Sequence, residues 1–576
     1  MQTGASAEAR NSPILAAGVS ARSVRHYRLP HERPFTAPER CSTSILVGGL
    51  TRRHDRFVRA VFEGCGYRCL NLPVPDREAY LLGREFCNNG QCCPAYFTAG
   101  SLIQFLRGLE RRGLSRREIV DRFVFFTAGS CGPCRFGMYE SEYRLALHNA
   151  GYDGFRVLLF QQDHGVLQGY EEPGLRYSLD FGFGMYLALL LGDLLNDLAQ
   201  QIRPFEVRPG ETDRVMEECT ADVCELLHNR TPFDIDRHVP ARAGEWLRRH
   251  QGIRHPLIFL GRYRHRLHGR ELRETLARCR QRLDRIEIDR TRVKPVVKVI
   301  GEFWVQTTEG DGNYRMFQFL EHEGAQVHSD PISMWATYLL NHARLGLERR
   351  SGLSRRRWRQ SLSHEFGLTW KRVLLRLGES FYVRHYERLA AELGGLAHPL
   401  PDQSTLARLA QPYYNPLLRG GEGHLEVAKN IYYSSRGLCH MVLSLKPFGC
   451  MPSSQSDGAQ SAVVSRFREM TFVPIEISGE GEVHAQSRAQ MALWEAKAKA
   501  RREFDFALAS TGRRLEEVRH FVSLRPELRR PSCRVPRRPG VAGTAANYVL
   551  YVHELMKRDA GSAGENGNGS GASPGV

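Results

Sequence analysis

The apolar and polar positions of this chain alternate between short strands and amphipathic helices in two separate stretches. In the first stretch, from Cys41 to about Pro204, apolar runs predict strands at Ser44–Val47, Arg68–Pro73, Arg122–Phe126 and Arg156–Phe160. Between them, Ala95–Arg112 and Tyr139–Ala150 carry apolar residues at helical spacing. Strands separated by helices of about a dozen residues predict a parallel sheet that is covered on both faces.

The same alternation restarts in the second half of the chain. From about Arg208 to Arg292 the periodicity predicts helices only, and further strands are then predicted at Pro295–Ile300, Cys439–Leu445 and Phe472–Ile477. The pattern therefore predicts an α/β protein with two parallel-sheet lobes, Rossmann-like or flavodoxin-like, and a helical insert.

The expected units follow from these changes in pattern. They are a disordered N-terminal segment (1–40), a first α/β lobe (41–207), a helical region (208–293), a second α/β lobe (294–506) and a basic, partly disordered C-terminal tail (507–576). The last 17 residues are rich in Gly, Ser and Asn, which predicts disorder there.

Composition is that of a soluble globular protein. Of 576 residues, 42% are hydrophobic and 25% are charged, and no run approaches the roughly 20 apolar residues of a membrane-spanning helix. The most apolar segment, Met185–Leu195, contains an Asp and predicts a buried core helix. The N-terminal segment lacks the apolar core of a secretory signal. We therefore expect a cytoplasmic protein whose 14 cysteines are free thiols or metal ligands.

The net charge of +18 comes mostly from arginine. Many of these arginines alternate with Glu and Leu at helical spacing, as in Arg270–Leu276, which is typical of a solvated helix face. Nucleic-acid binding and a membrane partner are therefore not expected. A site for an anionic, phosphate-bearing ligand or an acidic partner protein is the remaining interpretation of the basic excess.

Three turns place cysteine beside Gly and Pro. They are Asn88–Pro94 with Cys92 and Cys93, Gly129–Arg135 with Cys131 and Cys134, and Lys446–Pro452 with Cys450. Two of these turns directly follow predicted strands, and Cys92 and Cys93 open a predicted helix. In open α/β sheets ligands bind beyond the carboxyl ends of strands, and a helix N-terminus stabilises a thiolate. The placement predicts a metal or iron–sulfur site.

Several chemistries are compatible with these cysteines. Cys131 and Cys134 have the spacing of a redox pair, but no thioredoxin-like unit surrounds them. Zinc needs four ligands, and adjacent cysteines do not readily face one tetrahedral ion. Ligation of an iron–sulfur cluster by Cys92, Cys134 and Cys450, with Cys93 or Cys131 as reserve ligand, is the hypothesis that spacing and context favour. The remaining interpretation is that these are unrelated thiols in Gly-rich turns.

The same residues resemble a known family. The runs Asn88–Ala95, Cys131–Glu140, Lys294–Gly301 with Phe319–Val327, and Leu445–Ser453 are similar to the 2-hydroxyacyl-CoA dehydratase superfamily, most of all to the large domain of CoA-substrate-specific enzyme activase-related proteins. The resemblance implies two α/β lobes with a 4Fe-4S cluster in the cleft between them. By the matching motifs, Cys92, Cys134 and Cys450 hold that cluster and leave one iron open.

The resemblance also implies a function. A separate ATPase of the actin-like fold is expected to supply low-potential electrons for a dehydration or reduction of an acyl-CoA, by a lyase or an oxidoreductase. The actin-like nucleotide motif is absent from this chain, so ATP hydrolysis is assigned to the partner. Arg135, next to a ligand, is expected to orient or neutralise it. The alternative is a non-catalytic scaffold or activator subunit that binds zinc or no metal. No catalytic residue is identified, and a homodimer is one assembly that we consider.

Overall fold

The structure is a computed structural model. It describes residues 32–129, 134–161, 165–166, 173–229, 233–235, 239–240, 245–246, 248–350, 358–418 and 421–566.

The first sheet contains four parallel strands and one short antiparallel edge strand. Its order is β2-β1-β3-β4-β5, and the strands are β1 (Ser44–Val47), β2 (Arg68–Asn71), β3 (Phe123–Gly129), β4 (Arg156–Gln161) and β5 (Gly165–Val166). Ile45, Leu46 and Val124 are fully buried, because helices cover both faces of the sheet.

The helices of the first half connect these strands and then form a helical layer. They are α1 (Arg52–Gly64), α2 (Arg77–Phe86), α3 (Cys93–Arg111), α4 (Arg116–Arg122), α5 (Tyr139–Asn149), α6 (Leu179–Ile202), α7 (Glu211–His228), α8 (Gln251–His268) and α9 (Arg270–Leu283). Their starts follow capping rules: the Thr51 side chain accepts from the backbone N–H of His54, and Asp76 accepts from that of Ala79.

The second sheet is entirely parallel. Its order is β7-β6-β8-β9, and the strands are β6 (Val296–Gly301), β7 (Gln326–His328), β8 (Met441–Pro447) and β9 (Phe472–Ile477). All residues of β6 and β8 are buried, as expected for central strands of a covered sheet. Since β6 has β7 on one side and β8 on the other, the crevice at its carboxyl end is a topological switch point.

The helices of the second half cover this sheet and extend beyond it. They are α10 (Phe303–Thr307), α11 (Met316–His322), α12 (Ile332–Arg350), α13 (Trp358–Glu392), α14 (Gln403–Ala410), α15 (Gly423–Ser435), α16 (Met451–Arg466), α17 (Glu482–Thr511), α18 (Leu515–Ser523) and α19 (Thr544–Asn566).

The two sheets share one core cluster. Tyr80 and Phe97 of the first half pack in the same cluster as Val299, Trp304 and Leu445 of the second. Phe97 and Trp304 have their ring centroids 5.7 Å apart. A second cluster contains α1, α6, α7 and α9, so the expected helical region is packed on the back of the first sheet.

One helical segment, Leu179–Phe205, is long and apolar enough by composition to cross a membrane, among the residues that the structure describes. Its core residues Leu190, Leu191 and Leu194 are fully buried against the neighbouring helices. This is the packing of a core helix, which agrees with the interpretation of Met185–Leu195.

The α/β architecture with two parallel sheets is confirmed, and the bounds of the expected units stay predictions. Within the expected N-terminal segment, Phe35 is buried in the second core cluster; residues 1–31 lie outside the described part. In the tail, α18 and α19 form their own core with Phe504. Strands β5 and β7 were not predicted, since two or three residues carry too little pattern.

Candidate metal centre

The three cysteine turns meet at one place. The N–H of Cys93 donates a hydrogen bond of 3.2 Å to the carbonyl oxygen of Phe448, and Arg135 donates from its guanidinium to the carbonyl oxygen of Gly90. The turn around Cys92 therefore contacts both of the others. At Gly449, a Cβ would lie 3.3 Å from the oxygen of Gln91 and 3.4 Å from Cα of Cys92, so the Cys450 turn is packed tightly on the Cys92 turn.

Each of the three central cysteines stands at the start of a helix. Cys92 is the N-cap of α3, Cys450 is the N-cap of α16, and each of these helices has a proline in its first turn. Cys134 is the N-cap of a short 3-10 helix, Arg135–Met138. Helix starts present unpaired N–H groups and a partial positive charge. The helix starts therefore favour negative charge at this place, and burial of the thiols acts against it.

Glu302 lies among these thiols. Burial raises the pKa of Cys92, Cys134 and Cys450, that of Cys134 to about 12, and the charge of Glu302 adds to the increase at all three. Tyr139 completes the site, because its hydroxyl is 3.0 Å from Sγ of Cys92 and is itself buried. The site therefore combines three thiols, a phenol and a carboxyl group.

Two further carboxyl groups extend the site, and their charges also act on the thiols, Glu422 on Cys134 and Glu426 on Cys450. Glu422 accepts a 2.7 Å hydrogen bond from the N–H of Phe303, and Glu426 accepts from the hydroxyls of Ser453 (2.8 Å) and Ser456 (2.5 Å). Burial raises the pKa of Glu302 to about 8, helped by the charge of Glu422. Burial likewise raises the pKa of Glu422 to about 7, helped by Glu426. The protons on these acids compensate for a shortage of nearby cations.

This donor set fits a bound cation or a metal cluster. Buried thiols and carboxyl groups that share one enclosure repel each other once ionised, and a metal replaces their protons and removes that repulsion. The basic side chains around the site already have partners. Arg135 donates to the carbonyl oxygen of Gly90, Lys446 is paired with Asp457, and the buried Lys429, which acts on Glu422, is paired with Asp330.

The spacing of the sulfurs distinguishes between kinds of metal site. Within the described ranges, Asp197, His328 and His398 form the only triplet of His, Cys, Asp or Glu whose ligand atoms all lie within 4.8 Å of one another. At least one of the sulfur–sulfur distances among Cys92, Cys134 and Cys450 is therefore longer than 4.8 Å. A single tetrahedral zinc, with Zn–S of about 2.3 Å, needs sulfurs about 4 Å apart. In this arrangement the three thiols do not close around one zinc ion.

The reserve cysteines have different positions. Cys93 is buried between α2 and α3, where burial raises its pKa to about 12 and Tyr80 and Arg84 are among its neighbours. It does not share the acid neighbours of Cys92. Cys131 lies outside the described residues. The assignment of Cys92, Cys134 and Cys450 as ligands stays a prediction, and the structure places the three together.

The Asp197–His328–His398 cluster is a different kind of site. Asp197 Oδ1 is 2.7 Å from Nδ1 of His398, and Arg537 donates to Nε2 of the same ring. Since arginine only donates, Nε2 is the acceptor, and the ring proton is on Nδ1 and is donated to Asp197.

The two imidazoles of this cluster do not converge on an ion. Their centroids are 3.9 Å apart and their planes differ by only 16°. Ring nitrogens bind metals in the plane of the ring, so the lone pairs of two stacked rings run side by side. Burial also lowers the pKa of both histidines, and the neighbouring cations Lys298 and Arg537 act in the same direction. We interpret the cluster as a buried, stacked pair of neutral imidazoles, of which His398 donates a hydrogen bond to the Asp197 carboxylate.

Sequence reasoning missed the buried acids. Glu302 directly follows the strand predicted at Pro295–Ile300, so its place at the carboxyl edge of the sheet was available as a signal. Glu422 and Glu426 reach the site from the start of α15, and no local pattern indicates that.

No protein-family model matches this chain, and a search of the curated proteins found no similar sequence. The resemblance to the dehydratase superfamily therefore rests on the quoted motifs alone.

Proposed function

We propose that the protein is an iron–sulfur protein of the 2-hydroxyacyl-CoA dehydratase or activase-related type. It accepts low-potential electrons from a separate actin-fold ATPase and uses them for dehydration or reduction of an acyl-CoA. In this proposal Cys92, Cys134 and Cys450 bind a 4Fe-4S cluster between the two lobes.

One observation carries the proposal. Thiols from three turns, at the edges of both sheets, meet around Glu302 with each thiol at a helix start. Packing alone gives no reason for this arrangement, because buried structural cysteines are ordinarily found within apolar helices or strands. The switch point of the second sheet supplies the crevice in which a ligand is expected.

The chain's own residues have definite roles in this proposal. When bound, a cluster with three thiolate ligands supplies one-electron transfer and an iron that acts as a Lewis acid. Tyr139 fixes Sγ of Cys92 by its hydroxyl group. The carboxyl groups of Glu302 and Glu422, with pKa values of about 8 and 7, carry protons near neutral pH. They are suited to protonate a leaving hydroxyl group.

Exposed apolar side chains lie around the cysteine turns. Phe448 and Met451 flank Cys450, and Met138 lies four residues after Cys134; all three are exposed. Large apolar side chains at the surface mark contact sites for other proteins. We assign this face to the electron-donating partner, since electrons must enter close to the cluster.

Metal analysis tests the proposal. The protein is purified and reconstituted under anaerobic conditions, and iron, sulfide and zinc are measured together with the electron paramagnetic resonance spectrum of the reduced form. We expect about four irons per chain and no zinc. Cys92→Ala, Cys134→Ala and Cys450→Ala should each lose most of the iron, whereas Cys93→Ala should retain it.

The scaffold alternative predicts the opposite result. A protein that contains zinc or no metal after reconstitution, or one whose iron content is the same in the Cys450→Ala variant, contradicts the proposal. ATP-dependent reduction by an added actin-fold ATPase then tests the partner separately from the cluster.

A further inference from the structure

Helix α13 has two apolar stripes on different faces. One stripe packs against the core through Leu368, Tyr382, Tyr386 and Leu389, which are buried. The other stripe is exposed to solvent over its described part, and its residues are Phe366, Trp370, Val373, Leu374, Leu377 and Phe381. A helix whose core stripe is already packed has no structural need for a second apolar stripe. Among the residues that the structure describes, the exposed stripe is therefore an unpartnered face.

Helix α8 has a similar exposed stripe. Ile253, Leu257 and Leu260 are spaced by four and three residues, so they lie on one face, and all three are exposed. Phe259, also exposed, lies beside them and is anchored by the ring of Phe183 at 5.8 Å.

The two stripes belong to one surface. Ring contacts join Tyr263 to Phe381 (5.8 Å) and His268 to His385 (5.6 Å). Both helices advance along the chain between these contacts, so they pass each other in the same direction there. We call the exposed apolar residues of the two helices that meet at this contact the α8–α13 face.

The charge of the α8–α13 face is mostly positive. The segment 251–268 contains no aspartate or glutamate, and within the exposed stripe of α13, from Phe366 to Phe381, Glu379 is the one acidic residue. On α13, Lys371, Arg372 and Arg376 flank the exposed stripe. On α8, Arg264 is exposed, while Arg262 and Arg266 pair with Asp180 of α6.

We propose that the α8–α13 face binds the surface of a membrane that contains anionic phospholipids. Helices that lie in a membrane interface combine Trp, Phe and Leu on one face with Lys and Arg beside it, and this is the composition found here. The cations attract lipid phosphates, and the apolar stripe enters the boundary between headgroups and acyl chains.

Charge argues against a second copy of the chain on this face. Two copies would place the cations of both stripes against each other, with Glu379 as the one acid within the stripes to compensate. The attachment is peripheral, because α8 and α13 lie on the surface while the apolar helix α6 stays in the core. The inference revises the expectation of no membrane partner and does not depend on the cluster proposed above.

Vesicle flotation tests this inference. Full-length protein is mixed with phosphatidylcholine vesicles that do or do not contain phosphatidylglycerol. We expect binding to be about ten-fold stronger with the anionic lipid and to weaken as salt is raised. The double variant Trp370→Glu, Leu377→Glu should reduce binding about ten-fold. Lys371→Glu with Arg376→Glu should abolish the preference for the anionic lipid.

The control variant carries Met491→Glu and Trp494→Glu on α17, where both side chains are 76% exposed in a segment of mixed charge. It should bind vesicles like the wild type. Equal binding to both kinds of vesicle, or equal losses in the test and control variants, overturns the proposal. So does a wild-type dimer that becomes monomeric in the Trp370→Glu, Leu377→Glu variant, since the face would then join two copies. Circular dichroism confirms that each variant is folded.

Discussion

The N–H of Cys93 donates a 3.2 Å hydrogen bond to the carbonyl oxygen of Phe448, more than 350 positions further along the chain. This bond joins the start of α3 in the first half to the turn that follows β8 in the second. Because Cys92 and Cys450 flank it, the distance between their thiols depends on the contact between these two turns.

A substitution at Gly449 tests the contact between the Cys92 turn and the Cys450 turn. Its φ is +76°, and an added Cβ would lie 3.3 Å from the oxygen of Gln91. We expect Gly449→Ala to lower the free energy of unfolding by about 2 kcal/mol and to reduce the iron bound on reconstitution. Gly90→Ala is the matched control, because Gly90 has a φ of +79° with open space around its Cβ position. It should lose about 1 kcal/mol from backbone strain alone. Equal losses of iron in both variants would argue against a packed contact.

The metal-free protein should become less stable as pH rises through the pKa values of its buried acids. In the folded state burial raises the pKa of Glu422 from 4.5 to about 7. Between pH 4.5 and about pH 7 the folded state binds more protons than the unfolded state. The contribution of Glu422 to stability is therefore complete at low pH and is lost as pH rises through this interval. The loss attributable to Glu422 is at most about 3 kcal/mol.

Urea unfolding of the metal-free protein between pH 5 and pH 8 measures this effect. Glu422→Gln should flatten the dependence, while Glu85→Gln, at an exposed position of α2, should leave it unchanged. A dependence that is equally steep in both variants would show that Glu422 is not the titrating group.

The sheets were predictable because most of their strands are apolar runs bounded by turns. Strand β9 was predicted with its observed ends, Phe472–Ile477, and β1 likewise at Ser44–Val47. Strand β7 was missed because its three residues, Gln326–His328, form a strand only by pairing with β6. Its pattern is set by tertiary structure and is not visible in the local sequence.

The site was only partly predictable for a similar reason. Gly and Pro beside Cys92 and Cys450 marked bent backbone, and this signal is local. Glu422 and Glu426 lie on α15, which also contains the buried Lys429 and Asn430. A helix with so many buried polar residues has no apolar stripe that would reveal which side chains face the site.

Cys219 and Cys279 should be the first pair of thiols to form a disulfide. Sγ of Cys219 lies 3.8 Å from the oxygen of Cys279, and Sγ of Cys279 lies 3.9 Å from the oxygen of Cys219. The hydrogen bond from Cys279 lowers the pKa of Cys219, and Arg282 and Arg53 add to this decrease. A thiol of lowered pKa beside a second thiol is the reactive arrangement.

Mild oxidation with diamide, alkylation and peptide mass spectrometry should therefore detect the Cys219–Cys279 link before any other. The link closes a loop of 60 residues and should stabilise the protein by about 4 kcal/mol in the chain-entropy estimate. Cys219→Ser should abolish the link, whereas Cys224→Ser on the same helix should not. A link that forms only in denatured protein would contradict the geometry.

Asp197 should stabilise the fold without binding a metal. It accepts from both the backbone N–H and Nδ1 of His398, at 2.7 Å each, and from Gln201 at 3.0 Å. Burial alone would raise the pKa of Asp197, but the interactions with His398 keep it below the ordinary value. Asp197→Asn removes the charge beside Arg537 and should lower the free energy of unfolding by about 3 kcal/mol.

Addition of zinc tests whether Asp197, His328 and His398 form a metal site or only stabilise the fold. In a variant with Cys92, Cys134 and Cys450 replaced by alanine, added zinc should leave the melting temperature unchanged, and His328→Ala in that background should make no difference to the zinc response. The parallel rings of His328 and His398 are the reason, since one ion cannot lie in both ring planes. A zinc-dependent rise in melting temperature that His328→Ala removes would show that the rings rearrange around a metal.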